Sequence, residues 1–188
     1  MNKAVMTACL MATMLLQGCA VALVAGAAGT ASVANDRRTV GAYIDDESIE
    51  LKITGIISSD PELRSNTHVS VVSMNGEVLL VGQAPGEALR TRIVSQAQKV
   101  PGVSKVNNQI RLMTPTRLST RTHDTWLTSV VKGKLIASDL DSSAVKVVTE
   151  NAEVFLMGLV SHQEGDSAAN IARNVSGVTR VVKVFQYR

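Results

Sequence analysis

Aromatic residues are scarce in this chain. It has two Phe, two Tyr and one Trp in 188 residues. A core cannot be organised around rings, so it must be built from Val, Ile, Leu and Ala. Cysteine is nearly absent. Cys9 lies in an apolar leader and Cys19 follows it, which leaves no pair for a disulfide in the body of the chain. Charge of one sign is also missing. Residues 45–113 hold seven basic and eight acidic side chains, and residues 123–188 hold seven of each. The formal net charge of +3 comes from the leader, from Arg37 and Arg38, and from Arg117 and Arg121. There is no basic stripe with interleaved aromatics, which argues against nucleic acid as a partner. Catalytic patterns are absent too. There is no Gly-x-Ser-x-Gly and no glycine-rich phosphate loop. His68, His123 and His162 are widely spaced, and none sits in a metal-ligand pattern. The expectation is a protein without enzymatic activity, cofactor or metal.

What is present is a repeat. Met74-Asn75-Gly76-Glu77-Val78-Leu79-Leu80-Val81-Gly82 returns as Glu150-Asn151-Ala152-Glu153-Val154-Phe155-Leu156-Met157-Gly158, an offset of 158 − 82 = 76. Gly102-Val103-x-x-Val106 returns as Gly177-Val178-x-x-Val181, an offset of 75. Ile49, Ile53 and Ile57 match Leu127, Val131 and Leu135 at an offset of 78. Three landmarks in one order mean a duplicated module, and two copies are too few for a solenoid.

Each copy reads as helix, strand, strand, helix, strand. Asp45-Asp46-Glu47 places acids at a helix N-terminus, and Ile49, Ile53 and Ile57 share one helical stripe. Asn75-Gly76 closes a hairpin, since both residues tolerate positive φ. In the second copy Asp124 reads as the cap of the first helix. Asn151-Ala152 replaces Asn-Gly, so a different turn type is expected there. Ser161-His162-Gln163-Glu164 is a capping box. A hairpin followed by a βαβ crossover gives a three-stranded mixed sheet. Two helices on one face of that sheet supply the expected core. The divisions are a leader over 1–18, a tether over 19–44, modules over 45–113 and 123–188, and a linker over 114–122.

The N-terminus reads as an export signal. Lys3 precedes an apolar run from Ala8 to Leu16 that is too short to span a membrane. Leu16-Gln17-Gly18-Cys19 resembles a lipobox, in which the cysteine sulfur carries diacylglycerol. Acylation also explains a lone cysteine in an exported chain. Ala20, where an aspartate would favour the inner membrane, points by the same resemblance to the outer membrane.

The module order, the apolar strand ending in glycine and the Gly-Val-x-x-Val signature resemble the BON domain. Leu16–Cys19, Asp124-Thr125-Trp126, Glu153–Gly158 and Val175-Ser176-Gly177-Val178 carry a resemblance of nearly the whole chain to the dual-BON outer-membrane lipoproteins. The resemblance implies an α+β fold of two tandem BON domains, anchored through Cys19 to the outer membrane and facing the periplasm. It also implies phospholipid binding by the second module and a role in envelope integrity.

Comparing the two first helices marks one candidate site. At the offset of 78, Ser48 becomes Trp126, Lys52 becomes Val130 and Ile56 becomes Lys134, with Lys132 nearby. Trp126 and Val130 are four apart and share a face. They read as an exposed apolar strip with cationic neighbours, where module one is polar. Tryptophan suits a membrane interface, and each lysine adds about 1 kcal/mol near anionic headgroups. Trp126, Val130, Lys132 and Lys134 are therefore candidate contacts to anionic phospholipid. The competing reading packs Trp126 against module one or the linker. The alternative function is a scaffold or assembly factor for outer-membrane proteins or peptidoglycan-linked machinery, docking on open sheet faces and edges.

Overall fold

A computed structural model describes residues 39–188. The leader, Cys19 and most of the tether lie outside the described residues. Module one runs α1 (Val40–Ser59), α2 (Pro61–Asn66), β1 (His68–Met74), β2 (Glu77–Ala84), α3 (Glu87–Gln98) and β3 (Lys105–Leu112). Module two runs α4 (Leu118–Ile136), a short 3₁₀ turn (Ser142–Ala144), β4 (Val145–Glu150), β5 (Glu153–Val160), α5 (His162–Arg173) and β6 (Arg180–Tyr187). In each module the first two strands pair antiparallel and the last pairs parallel to the second. The expected mixed sheets, ordered β1-β2-β3 and β4-β5-β6, are both formed.

Both first helices start earlier than the acids suggested. The side chain of Thr39 caps α1 by accepting from the Ala42 N–H, so residues 40–44 belong to the helix rather than to a tether. Likewise α4 begins at Leu118, inside the stretch read as linker. Asp46 and Asp124 therefore sit within their helices and cap nothing. Both are buried. The Asp124 carboxylate accepts the Asn151 and Ala152 N–H groups, each at 2.8 Å. Asp46 accepts those of Asn75 and Gly76 and the Ser73 hydroxyl. The acid thus ties each first helix to its own hairpin turn. Module one also has an unforeseen second helix. Pro61 opens α2 behind an Asp60 cap, and Leu63 joins the core.

The two turns are of one kind, contrary to expectation. Asn75 and Gly76 have φ of 50° and 76°, and Asn151 and Ala152 have 50° and 60°. Alanine is strained in this region. Module one has less room for a side chain there, because a Cβ on Gly76 would come within 2.6 Å of the Gly102 carbonyl oxygen. Ala152→Gly should relieve the strain and stabilise the protein by about 0.5–1 kcal/mol. Thermal melting reads this as a rise of roughly 1–4 °C, and a fall would refute the strain.

The glycines that end the repeated motif answer to close packing between strands. A Cβ on Gly82 would lie 2.0 Å from the His68 carbonyl oxygen, and one on Gly158 would lie 2.1 Å from that of Ala144.

Each module has the expected core. Ile49, Ile53, Leu63, Val78, Leu80 and Ile93 build the first. Leu127, Val131, Leu135, Val154, Leu156 and Ala168 build the second. A third core was not expected. Val72, Met74, Leu79 and Val81 of one sheet pack on Phe155 and Met157 of the other. The sheets cover each other, giving four layers in the order helices, sheet, sheet, helices. This explains why β2 and β5 are apolar at successive positions, since strands buried on both faces lose the period of two. The faces read as open docking surfaces are closed.

Candidate functional site

The helix α4 buries Asp124, Leu127, Val131 and Leu135. At about 100° per residue, the opposite side presents Leu118, Thr122, Thr125, Trp126, Ser129, Gly133 and Ile136. No residue on that side is charged. Leu118 is 78% exposed, Trp126 53% and Ile136 70%. A side chain at Gly133 would meet only open space. Lys132 and Lys134 are exposed and fall on opposite flanks of this face by helix geometry.

The structure separates the four residues singled out on this helix. Trp126 stands on the outer face, its ring stacked on His123 with centroids 5.4 Å apart. Lys132 and Lys134 are exposed on the two flanks of that face. Val130 is half-buried instead and packs against the core of module two. Leu118 and Ile136 were missed because one lay in the presumed linker and the other at the far end of the helix. The signal was the uncharged spacing 118, 122, 126, 129, 133, 136. Module one is not polar on its corresponding side, where Val40, Ile44 and Leu51 are exposed on α1.

The seam between the modules has polar contacts around its apolar centre. Lys146 on β4 reaches Glu50 on α1 at 2.7 Å and the Ser73 carbonyl at 3.0 Å. Arg111 and Arg180 both pair with Glu153. Gln83 donates to Glu150 at 2.7 Å and accepts the Thr116 N–H, which ties linker, module one and module two together.

His68 and Glu150 meet across the seam at 3.6 Å. Burial pushes the Glu150 carboxyl above its ordinary range, and the Gln83 hydrogen bond opposes this. Burial, with Arg121 nearby, holds His68 below its ordinary value. Both groups are driven toward their neutral forms, so the contact is not a strong ion pair at neutral pH. A raised carboxyl pKa gives stability that is present at low pH and lost as pH rises through the folded value. A lowered histidine pKa acts the other way, giving stability lost as pH falls below the ordinary value. The two slopes oppose each other in the mildly acidic range. Glu150→Gln keeps an acceptor for Gln83 and removes the first slope. It should raise the melting temperature at pH 7 and leave a protein that loses stability more steeply on acidification. Melting curves between pH 7.5 and 4.5 check this, and an unchanged pH profile would contradict it.

Among the described residues no helix is long and apolar enough to cross a membrane, and no group of three or more His, Cys, Asp or Glu could hold a metal ion. The α4 face is an exposed, uncharged surface with a lysine on each flank.

The family model of the BON domain matches residues 45–114 and 123–188. The chain is 40% identical to the outer membrane lipoprotein DolP of Haemophilus influenzae over 177 residues, covering 94% of this chain and 92% of that one. It is 39% identical to the 21 kDa hemolysin of Actinobacillus pleuropneumoniae, covering 81% and 79%. It is 33% identical to the osmotically-inducible protein Y of Escherichia coli, covering 76% and 72%.

Proposed function

The chain belongs to the BON-domain family, and from that premise we propose that it binds anionic phospholipid through the outer face of α4 and supports outer-membrane integrity without catalysing a reaction. It is a DolP-like, lipid-anchored protein of the outer membrane. Cys19 carries the anchor in this reading, and α4 supplies a second, reversible contact. One acyl signal with one surface contact is a familiar way to hold a protein firmly at a bilayer. The observation that carries the proposal is the uncharged side of α4, with Leu118, Trp126 and Ile136 exposed between two lysines.

Co-sedimentation of the full chain with Cys19→Ser, which has no acyl group, tests it. Binding to phosphatidylglycerol-containing vesicles and weak binding to pure phosphatidylcholine are expected. Equal binding to both, or to neither, would reject the proposal.

A second reading has its own support. Ile44 and Leu51 expose apolar surface on α1, away from α4. An outer-membrane assembly protein docking there would make the chain a scaffold. Ile44→Ser with Leu51→Ser should then abolish the envelope role and leave vesicle binding intact. A variant with normal envelope integrity would dismiss this reading.

A further inference from the structure

The outer side of α1 has a regular spacing that the core does not use. Ile44, Ser48, Leu51 and Gly55 follow one another at intervals of four, three and four residues, the spacing of a seam between packed helices. Ile44 and Leu51 are 60% and 73% exposed. Ser48 and Gly55 alternate with them and are small, and a side chain on Gly55 would meet only open space. A second helix has room to approach closely there. Beside Gly55 the seam opens into a groove of about 420 Å³ between α1 and α3. Lys52, Gly55 and Ile56 line one wall, and Gln96, Lys99 and Val100 line the other. Ile56 and Val100 join the groove to the core of module one.

Module two has apolar side chains in the matching place. At the repeat offsets Lys52 becomes Val130 (52 + 78), Gln96 becomes Ile171 and Lys99 becomes Asn174 (96 + 75 and 99 + 75). Val130 and Ile171 pack against the core of module two. Module one has two long polar side chains there, and its groove stays open. The charge of the groove is one-sided, since no acidic side chain lines it. Arg90, Arg92, Lys105 and Arg111 of module one each sit in an ion pair. Lys52 and Lys99 have none among the described residues. Asp45 shares a second depression with Lys52 and does not pair with it. The C-terminal ends of α1 and α3 carry about half a negative charge each, which two full lysine charges outweigh.

We propose that this seam and groove dock an acidic amphipathic helix of another protein, with apolar side chains over Leu51, Gly55 and Ile56 and carboxylates on Lys52 and Lys99. The length of the strip favours a polypeptide, because from Ile44 to Ser59 it follows α1 for roughly 22 Å. The four-three-four spacing favours a helix, the form that lays apolar anchors into a groove one turn apart. The two unpaired lysines select acidic flanks over basic ones. No residue of α4 takes part. The proposal deepens the scaffold reading above and rests on it for its role in the envelope. The site itself does not.

The test uses the full chain with Cys19→Ser. The probes are two synthetic peptides of about 14 residues, long enough to fold as a helix on docking. Both carry leucines at helix spacing, one with glutamates between them and the other with lysines. Backbone amide shifts of Lys52–Ser59 and Gln96–Val100 follow binding. Saturable shifts in both segments are expected with the glutamate peptide and none with the lysine peptide. Lys52→Val with Gln96→Ile copies the apolar side chains of module two and should weaken binding about tenfold or more, the scale of one lost apolar anchor. Gly55→Leu blocks the groove without changing charge, in a place open to solvent and with a better helix former, and should do the same if the double variant misfolds. Lys52→Gln with Lys99→Gln should weaken binding and flatten its dependence on salt. No shift with the glutamate peptide, equal binding of both peptides, or unchanged affinity in the folded variants overturns the proposal. Dihexanoyl-phosphatidylglycerol below its micellar concentration is the control ligand, and displacement of the peptide by it would overturn the assignment to a polypeptide. Envelope integrity of the Ile44→Ser, Leu51→Ser strain reports separately. A defect there beside a silent groove leaves the scaffold reading standing without this partner. A filled groove beside normal integrity upholds the site and dismisses the scaffold reading.

Discussion

Changing Trp126 to Glu is expected to weaken binding to anionic vesicles by on the order of 100-fold or more. Burying a large apolar side chain is worth roughly 1.5–3 kcal/mol. A carboxylate facing anionic headgroups adds a penalty of about 1 kcal/mol, the scale of a single charge near such a surface. Tenfold in affinity is about 1.4 kcal/mol. Folding should be little affected, because Trp126 stands 53% exposed while Leu127, Val131 and Leu135 fill the core. Lys132→Gln with Lys134→Gln should weaken binding less and reduce its dependence on salt, since screened charge is the part removed. Vesicle titrations at two salt concentrations measure both variants. Trp126 is the sole indole, so its emission follows the unaltered protein directly. A variant that binds as well as the parent would end the assignment of this face to the membrane.

The second large effect is on stability. Asp124→Asn should cost roughly 3–5 kcal/mol. The carboxylate accepts two backbone N–H groups in a buried place, and hydrogen bonds to a charged group are worth about 1.5–3 kcal/mol each. An amide offers one oxygen and sets an NH₂ against the other donor. The turn it holds is already strained at Ala152. The melting temperature should fall by roughly 6–20 °C, at about 2–4 °C per kcal/mol for a protein of this size. The shared inter-sheet core predicts that the loss appears in one transition for both modules. Scanning calorimetry decides, and two separated transitions with only the second displaced would show that the seam does not couple them.

The fold was legible where local chemistry is explicit. The Ser161–Glu164 capping box forms as read, and both hairpins and both crossovers follow from the repeated turn and Gly-Val-x-x-Val signals. The helix starts were not legible. Thr39 precedes a stretch with no amphipathic contrast, and the acids one and a half turns later imitate an N-terminus. Asp46 and Asp124 could have been found, since they match at the same offset of 78 as the core stripe. An acid kept in both copies one turn before an apolar stripe has a neighbour to bind. The inter-sheet core was also written in the sequence, in the unbroken apolar runs Val78–Val81 and Val154–Met157. Assigning each module a self-sufficient core hid what the second face of each run was for. On α4, Trp126 stood out by comparison with Ser48, while Val130 could not be placed, because a residue beside the core stripe can turn either inward or outward.

The sheet-on-sheet packing carries one more consequence. In layout the molecule is a dimer whose two subunits are joined end to end. A lone module would leave the Phe155–Met157 face, or its Leu79–Val81 counterpart, in water. It would then need a second copy found by diffusion. The short connection from Leu112 to Leu118 replaces that encounter with an effective concentration on the order of millimolar. The pairing therefore survives dilution. Tethering also releases the halves from identity. In a true dimer every substitution is made twice, and a tryptophan gained on one outer helix appears on the other. Here Trp126 faces out on α4 while Ser48 holds the matching place on α1, so the two outer helices differ at a position where the subunits of a true dimer could not.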